Sequence, residues 1–427
     1  MKVPVALLLG CIPLAAQNPF PPPPTALPSQ PFFIKHTWII GGHGNWDYLT
    51  MDPVANRLYI AHGPEVQVVD VETGNLAGTV KGLQEAHSIA LDDTGEFGYV
   101  SDGPADEVKV FDRRSFEVVA NIPTGPSPRA ITLDTGNNLL IAVCSGPNPS
   151  EQEQVPQRRA GRPQARPAPQ NAAARERTKS ILSVIDTQTR EELAQILVAG
   201  RFSFAQGDEK GKVYIAVQDR DEIARLDLDA LGAQLRRSSA VGAAGEAAPV
   251  AGAVKYISQP QHLDWSDSAH PPAGGTHLGY YRLGSDCREP SALAVDGKDL
   301  RVFAACGNQK LVVLNSISGA TVTTLPIGPG PEAVGYDPDR GLIYSANGGG
   351  DGSLTIIRQD VTDSYAVIQT LPTRQQARTL AVNPSTGQVY LVTVIQVAKL
   401  GPPPVNGIGT LEVTPEDSSF QVLVVGN

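Results

Sequence analysis

The sequence predicts an all-β protein, a seven-bladed β-propeller of four-stranded antiparallel blades closed by pairing of N-terminal and C-terminal strands. Three observations lead there. One phrase recurs seven times at a period of about 40 residues. Within each copy, short apolar runs alternate with turns bearing Gly, Pro, Asp or Asn. An unassigned apolar strand at 33–40 precedes the first copy, while the last copy ends one strand short.

Each copy begins with an apolar stretch ending in Asp or Asn, then turns into a Tyr-centred strand and a further apolar strand. The tyrosine cores are Leu58-Tyr59-Ile60-Ala61, Gly98-Tyr99-Val100-Ser101, Val213-Tyr214-Ile215-Ala216, Ile343-Tyr344-Ser345-Ala346 and Val389-Tyr390-Leu391-Val392. Two copies replace Tyr, at Leu139-Leu140-Ile141-Ala142 and Val302-Phe303-Ala304-Ala305. A weaker fourth strand follows, as at 76–80, 118–122 and 322–325. The Asp after the third strand (Asp70, Asp112, Asp186, Asp227) recurs at one repeat position, so it reads as a turn cap bonding its own backbone. If 33–40 completes the seventh sheet, the ends pair and no sheet edge stays open.

Length alone, at 427 residues, would allow two or three domains. The repeat argues instead for one domain at 32–427 with three insertions. The insertion at 146–179 is rich in Pro, Gln and Ala and carries Arg158, Arg159, Arg162, Arg166, Arg175 and Arg177, so it is expected to be disordered. A second, at 231–275, should project from the opposite face; it holds His262, Asp264, Trp265, Asp267 and His270, with His277 just beyond. That group invites a metal reading, but its spacing matches no standard site, and no metal or cofactor is expected. The third lies at 394–418, on the same face as the first.

The N-terminus reads as a secretory signal peptide at 1–16, followed by a Pro-rich leader at 17–31. Cleavage after Ala16 is favoured over lipidation at Cys11 in Leu8-Leu9-Gly10-Cys11. A periplasmic or secreted, monomeric protein is expected, and the apolar run is too short to anchor in a membrane. Cys287 and Cys306 flank a predicted hairpin; they either pair in an oxidising compartment or sit as small buried residues, the second being favoured. The net charge of −10 argues against binding polyanions over the whole surface, not against a local basic patch.

These residues resemble the YVTN β-propeller repeat family, the YncE-like group of secreted bacterial and archaeal proteins. The resemblance covers about 33–427 and rests on Tyr99-Val100-Ser101, on Tyr-Ile-Ala at Tyr59 and Tyr214, on Val68-Val69-Asp70 and Val184-Ile185-Asp186, and on Ala377–Pro384 with 421–426. It implies a propeller, export, and a surface or periplasmic binding role; one bacterial member binds DNA. It brings no shared catalytic motif.

Function is expected where the repeat varies. The residue two before the first-strand apolar position is Asp47, His87, Arg129, Phe202, Ser291, Glu332 and Arg378 in successive copies, and this ring should face a ligand at the channel mouth. Arg378, Asp47, His87 and Arg129 are consecutive around it, and Arg forks suit carboxylate or phosphate. The alternative is a solvated funnel whose charges pair with each other. A second ring (His62, Asp102, Val143, Val217, Cys306, Asn347, Thr393) is a poor metal cage, and Gly348-Gly349-Gly350-Asp351-Gly352 reads as a flexible turn before an ion loop. No GxSxG, HExxH, P-loop or CxxCH is present. The leading reading is a non-enzymatic scaffold binding a ligand or macromolecular partner at the mouth, with a polyanion such as DNA or an acidic glycan as one candidate. The rivals are a metal-dependent lactonase using Glu332, Asn347 and Asp47, by fold analogy alone, and a structural envelope module.

Overall fold

The computed structural model describes residues 30–145, 178–244, 260–267, 277–361, 363–400, 411–415 and 419–427. Seven antiparallel blades form a β-propeller. Blade one uses strands Trp46–Asp52, Arg57–His62, Glu65–Asp70 and Leu76–Val80, and blade two uses Ala86–Leu91, Phe97–Asp102, Glu107–Asp112 and Val118–Pro123. Blades five and six repeat the order from Pro290–Asp296 and Pro331–Asp337. Blade seven joins Leu380–Asn383, Gln388–Thr393 and Gln421–Gly426 to the N-terminal strand Phe33–Ile39. There Phe33 stands opposite Gly426 and Ile39 opposite Gln421, so the expected closure of the ring is present. The first strand of each blade touches the first strand of the next, and the seventh touches the first, so these strands line a central channel.

Seven apolar clusters fill the seven interfaces between neighbouring blades. The repeated tyrosines are their mortar. Tyr59 packs with Ile89 and Phe111 of blade two, Tyr214 with Leu293 and Val302 of blade five, and Tyr390 with Leu49 and Leu58 of blade one. All three rings are essentially inaccessible. Burying such a ring contributes on the order of 2–3 kcal/mol. The recurrent aspartates are turn caps, as their recurrence implied. Asp70 accepts the backbone N–H of Glu72 and Thr73, Asp112 that of Arg114 and Ser115, and Asp186 that of Gln188 and Thr189.

Blades three and four depart from the expectation. The segment after Asp227 is not a simple loop. It forms a helix, Leu228–Ala244, whose Leu228, Leu231 and Leu235 are fully buried in the cluster between blades three and four. Their three- and four-residue spacing gives one apolar stripe. Gln261–Asp264 then adds a fifth strand to blade three, parallel to Glu191–Ala199, and Trp265 continues the contact through its N–H to Leu197 O at 2.8 Å. The third insertion forms a hairpin, Gln396–Leu400 against Leu411–Pro415. The arginines of the first insertion, at 146–177, lie outside the described residues, as do the signal-like segment and most of the leader.

Cys287 and Cys306 form a disulfide, so the favoured alternative of two unpaired cysteines is corrected. Their Cα atoms stand 5.3 Å apart, within ordinary bridging range. Cys144 is buried and free. No helix among the described residues is long and apolar enough to cross a membrane.

Candidate functional site at the channel mouth

The chain enters every first strand from one face, here called the mouth. In blades one to six the first strand bulges at this entry: Trp46 pairs with His62 but Leu49 with Ile60, and Ala86 with Asp102 but Ile89 with Val100. A bulge re-aims side chains that regular pleating would bury. It sets the ring of variable residues at the inner edge of the mouth.

Strand pairing corrects one member of that ring. Phe202 pairs with Val217 and Ala205 with Ile215, so Phe202 is equivalent to Trp46, and Ser203 is equivalent to Asp47. Phe202 is buried between blades, edge-on to Tyr280 at 6.5 Å, and does not face the mouth. Copy four carries aromatics at both 202 and 204, which hid its phase. The ring is therefore Asp47, His87, Arg129, Ser203, Ser291, Glu332 and Arg378.

Most of its charges pair with each other. His87 Nδ1 lies 2.9 Å from Asp47 Oδ2. Arg378 Nε lies 3.0 Å from Glu332 Oε2, while Arg378 Nη2 donates to Trp46 O at 3.2 Å and the guanidinium stacks 5.5 Å from the Trp46 ring centre. Arg129 is exposed and forms no ion pair among the described residues. Ser203 Oγ donates to Ala216 O at 3.3 Å, and Ser291 Oγ donates to Pro331 O at 2.6 Å.

One residue deeper, two aromatic rings reach into the channel. Tyr48 of blade one and Phe204 of blade four meet edge-on with ring centroids 5.0 Å apart. These blades are separated by two others on one side and three on the other, so the contact crosses the channel. The equivalent residues elsewhere are Ser88, Ala130, Ala292, Ala333 and Thr379, all small enough to leave room for the two rings. Burial, reinforced by Asp47 and Glu332, pushes the Tyr48 hydroxyl far above the ordinary phenol range, so it stays neutral.

Beside this floor lies a cavity of about 260 Å³ between blades four, five and six. Tyr48, Arg201, Ser203 and Gln218 line one part; Glu289, Ser291, Gly307, Gly330, Pro331 and Glu332 line the rest. The Glu332 carboxyl is held above its ordinary range by desolvation first, with Asp47 adding and Arg378 and Arg129 opposing.

The second ring is a set of tethers. Ile141, not Leu140, is the tyrosine equivalent in blade three, so Cys144 replaces Val143 in this ring. Asp102 accepts the N–H of Gln84 and Glu85, Thr393 Oγ1 donates to Gln375 O, and Asn347 bonds Ser345, Ser353 and Thr355. His62 stacks on Phe420 at 3.9 Å and bonds Gln67 through Nδ1 at 3.0 Å. The Cys306–Cys287 bridge is the covalent version, holding the connector into blade five. Asn347 is wholly buried, and its side-chain amide is taken up by Ser345, Ser353 and Thr355.

The glycine loop after Asn347 uses its amides on neighbouring loops: Gly348 N–H bonds Gly330 O and Gly349 N–H bonds Pro329 O. Gly352, at φ +85°, lies so close to Arg374 O that a Cβ would stand 1.9 Å from it. It is a packed turn. In the second insertion, Asp264 accepts from Ser266, and His277 Nε2 contacts Gln234 Oε1 at 2.7 Å, edge-on to Trp265. No group of three metal-ligating side chains occurs among the described residues, and His270 lies outside them.

No protein-family model matches the chain, and no curated protein matches it. Among solved structures, a chain of a "Crystal Structure of Mitotic Checkpoint Complex" is similar, with a TM-score of 0.57 and 11% identity over 88% of this chain and 94% of that one. At that identity the likeness concerns the fold alone.

Proposed function

We propose that the protein is an exported, monomeric, non-enzymatic binding scaffold of the YVTN type that seats a small polar ligand at the mouth of its channel. The observation that carries this reading is the Tyr48–Phe204 contact, which turns an open channel into a blind mouth with a floor, a polar ring and a cavity beside it. A concave site with an aromatic floor and a few fixed polar groups is what small-molecule recognition requires. Export is supported by the signal-like segment at 1–16 and by the Cys287–Cys306 bridge, since disulfides persist in oxidising compartments. The test is a thermal-shift and calorimetric screen of small polar compounds against the wild type and Ser291→Trp, whose indole fills the cavity. Compounds that bind the first and not the second are expected; a screen in which none discriminates removes the reading.

A polyanion at this face is the second reading, favoured by Arg129, which forms no ion pair among the described residues, and by the six arginines in the sequence between Ser145 and Lys179, strand ends that lie at the mouth. It is weakened by the pairing of His87 and Arg378 with carboxylates. DNA or heparin retention that survives Arg129→Ala, Arg378→Ala and deletion of 146–177 removes it.

A further inference from the structure

We infer that the cavity between blades four, five and six takes a compact zwitterion of the amino-acid kind, with an ammonium and a carboxylate on one small molecule. This rests on the reading that the mouth seats a small ligand.

The walls of the cavity differ in charge. Blade four contributes Arg201, which is exposed at the rim and forms no ion pair among the described residues. Blades five and six contribute Glu289, which forms no ion pair among the described residues, and Glu332, whose Oε2 pairs with Arg378 at 3.0 Å. Arg201 and Glu289 occupy the same repeat position, one residue before the first strand, so the opposition arises by substitution on one scaffold. Blade six has Gly330 at this position, packed so close to the next loop that a Cβ there would lie 2.9 Å from Gly349 N.

Hydrogen-bond supply is equally lopsided. Ser203 and Ser291 have committed their hydroxyl hydrogens to backbone carbonyls, so each offers the cavity only acceptor lone pairs. Together with two carboxylates they form a wall of acceptors, suited to the three N–H donors of an ammonium. Tyr48 adds an aromatic ring to the same lining, a group that attracts cations. A carboxylate on the same molecule finds the Arg201 fork. A purely cationic ligand would leave Arg201 facing like charge, and a purely anionic one would face Glu289 and Glu332.

The backbone of the acceptor wall is tied down. The Cys287–Cys306 bridge, the Arg288–Asp221 ion pair at 2.5 Å and the Glu289 N–H to Asp221 Oδ1 bond at 2.9 Å fix the connector that presents Glu289. Fixing a wall before binding lowers the ordering cost of the complex.

The experiment is calorimetry of the full-length secreted chain with the twenty common L-amino acids, then with the amine and the acid obtained by removing the carboxylate or the amino group from the best binder. Arg201→Gln should weaken the amino acid by about tenfold and leave the amine unchanged; Glu289→Gln with Glu332→Gln should weaken it at least as much and leave the acid unchanged. Glu289→Gln and Glu332→Gln are near-isosteric and Arg201 is exposed, so the test does not depend on whether Ser291→Trp folds. An amine or acid that binds as tightly as the amino acid overturns the inference, and so does the absence of any amino-acid binding. If other compounds still distinguish wild type from Ser291→Trp, only the ligand class has failed; if none do, the mouth-binding reading fails with it.

Discussion

Tyr48 and Phe204 stand on blades that share no interface, yet their rings meet 5.0 Å apart across the channel. An edge-on aromatic pair contributes about 1 kcal/mol beyond the area it buries. A double-mutant cycle with Tyr48→Ala and Phe204→Ala, read by denaturant unfolding, should return a coupling of that size. A coupling near zero would mean that the two rings merely lie close and do not hold the floor.

The repeat made the strands, the ring closure and the scaffold role of the tyrosines and aspartates legible, because turn chemistry and apolar spacing are local. Register was harder. Copy three lacks its Tyr and copy four has Phe at both 202 and 204, so the local pattern fits two phases one residue apart. Only strand pairing decides between them, and it brings in Ser203 and Cys144 for Phe202 and Val143. With copy four in register, two aromatics among five small residues would have stood out one place past the ring. Which small side chains they shelter against, and the addition of Gln261–Asp264 to blade three, depend on contacts distant in sequence.

The buried tyrosines divide by what their hydroxyls find. Tyr214 donates to Ser316 O at 3.2 Å, whereas the Tyr344 hydroxyl has no partner among the described residues. Removing a satisfied buried hydroxyl costs about 1 kcal/mol, while removing an unsatisfied one relieves a desolvation penalty. Tyr214→Phe should therefore destabilise and Tyr344→Phe should be neutral or stabilising in the same urea titration. Equal destabilisation of both would contradict this division. Truncation of Tyr344 to Ala should instead cost about 3 kcal/mol or more, because the blade interface loses the whole ring.

Glu332 should give the mouth a pH response with opposite signs for stability and binding. Its folded-state pKa is raised above 4.5 by desolvation and by Asp47, which itself pairs with His87, against the pull of Arg378 and Arg129. Between 4.5 and that raised value the folded chain holds the proton more firmly than the unfolded one, so this group's contribution to stability is full below the window and is lost as pH rises through it. An ammonium beside Glu332 favours the ionised form, so affinity for a ligand carrying one should rise over the same window. Glu332→Gln should flatten both slopes. An unchanged binding slope in that variant would place the titrating group elsewhere.

The disulfide links stability to the site. Cys287 and Cys306 are 19 residues apart, and a loop of that size closed by a bridge stabilises a fold by about 3 kcal/mol in the chain-entropy picture. Paired replacement with Ser should lower the unfolding free energy by roughly that amount. The other blades hold the equivalent connector by hydrogen bonds alone, as Asp102 does with Gln84 and Glu85, so the propeller should survive without the bridge. What should suffer is the position of Glu289, because the connector that carries it would keep hydrogen bonds and an ion pair to Asp221, Asn308 and Gly307 but lose its covalent tie. The Ser variant should thus bind mouth ligands more weakly while its far-ultraviolet spectrum stays that of the parent. Full affinity in a bridge-free protein would show that the Asp221 clamp alone fixes the acceptor wall.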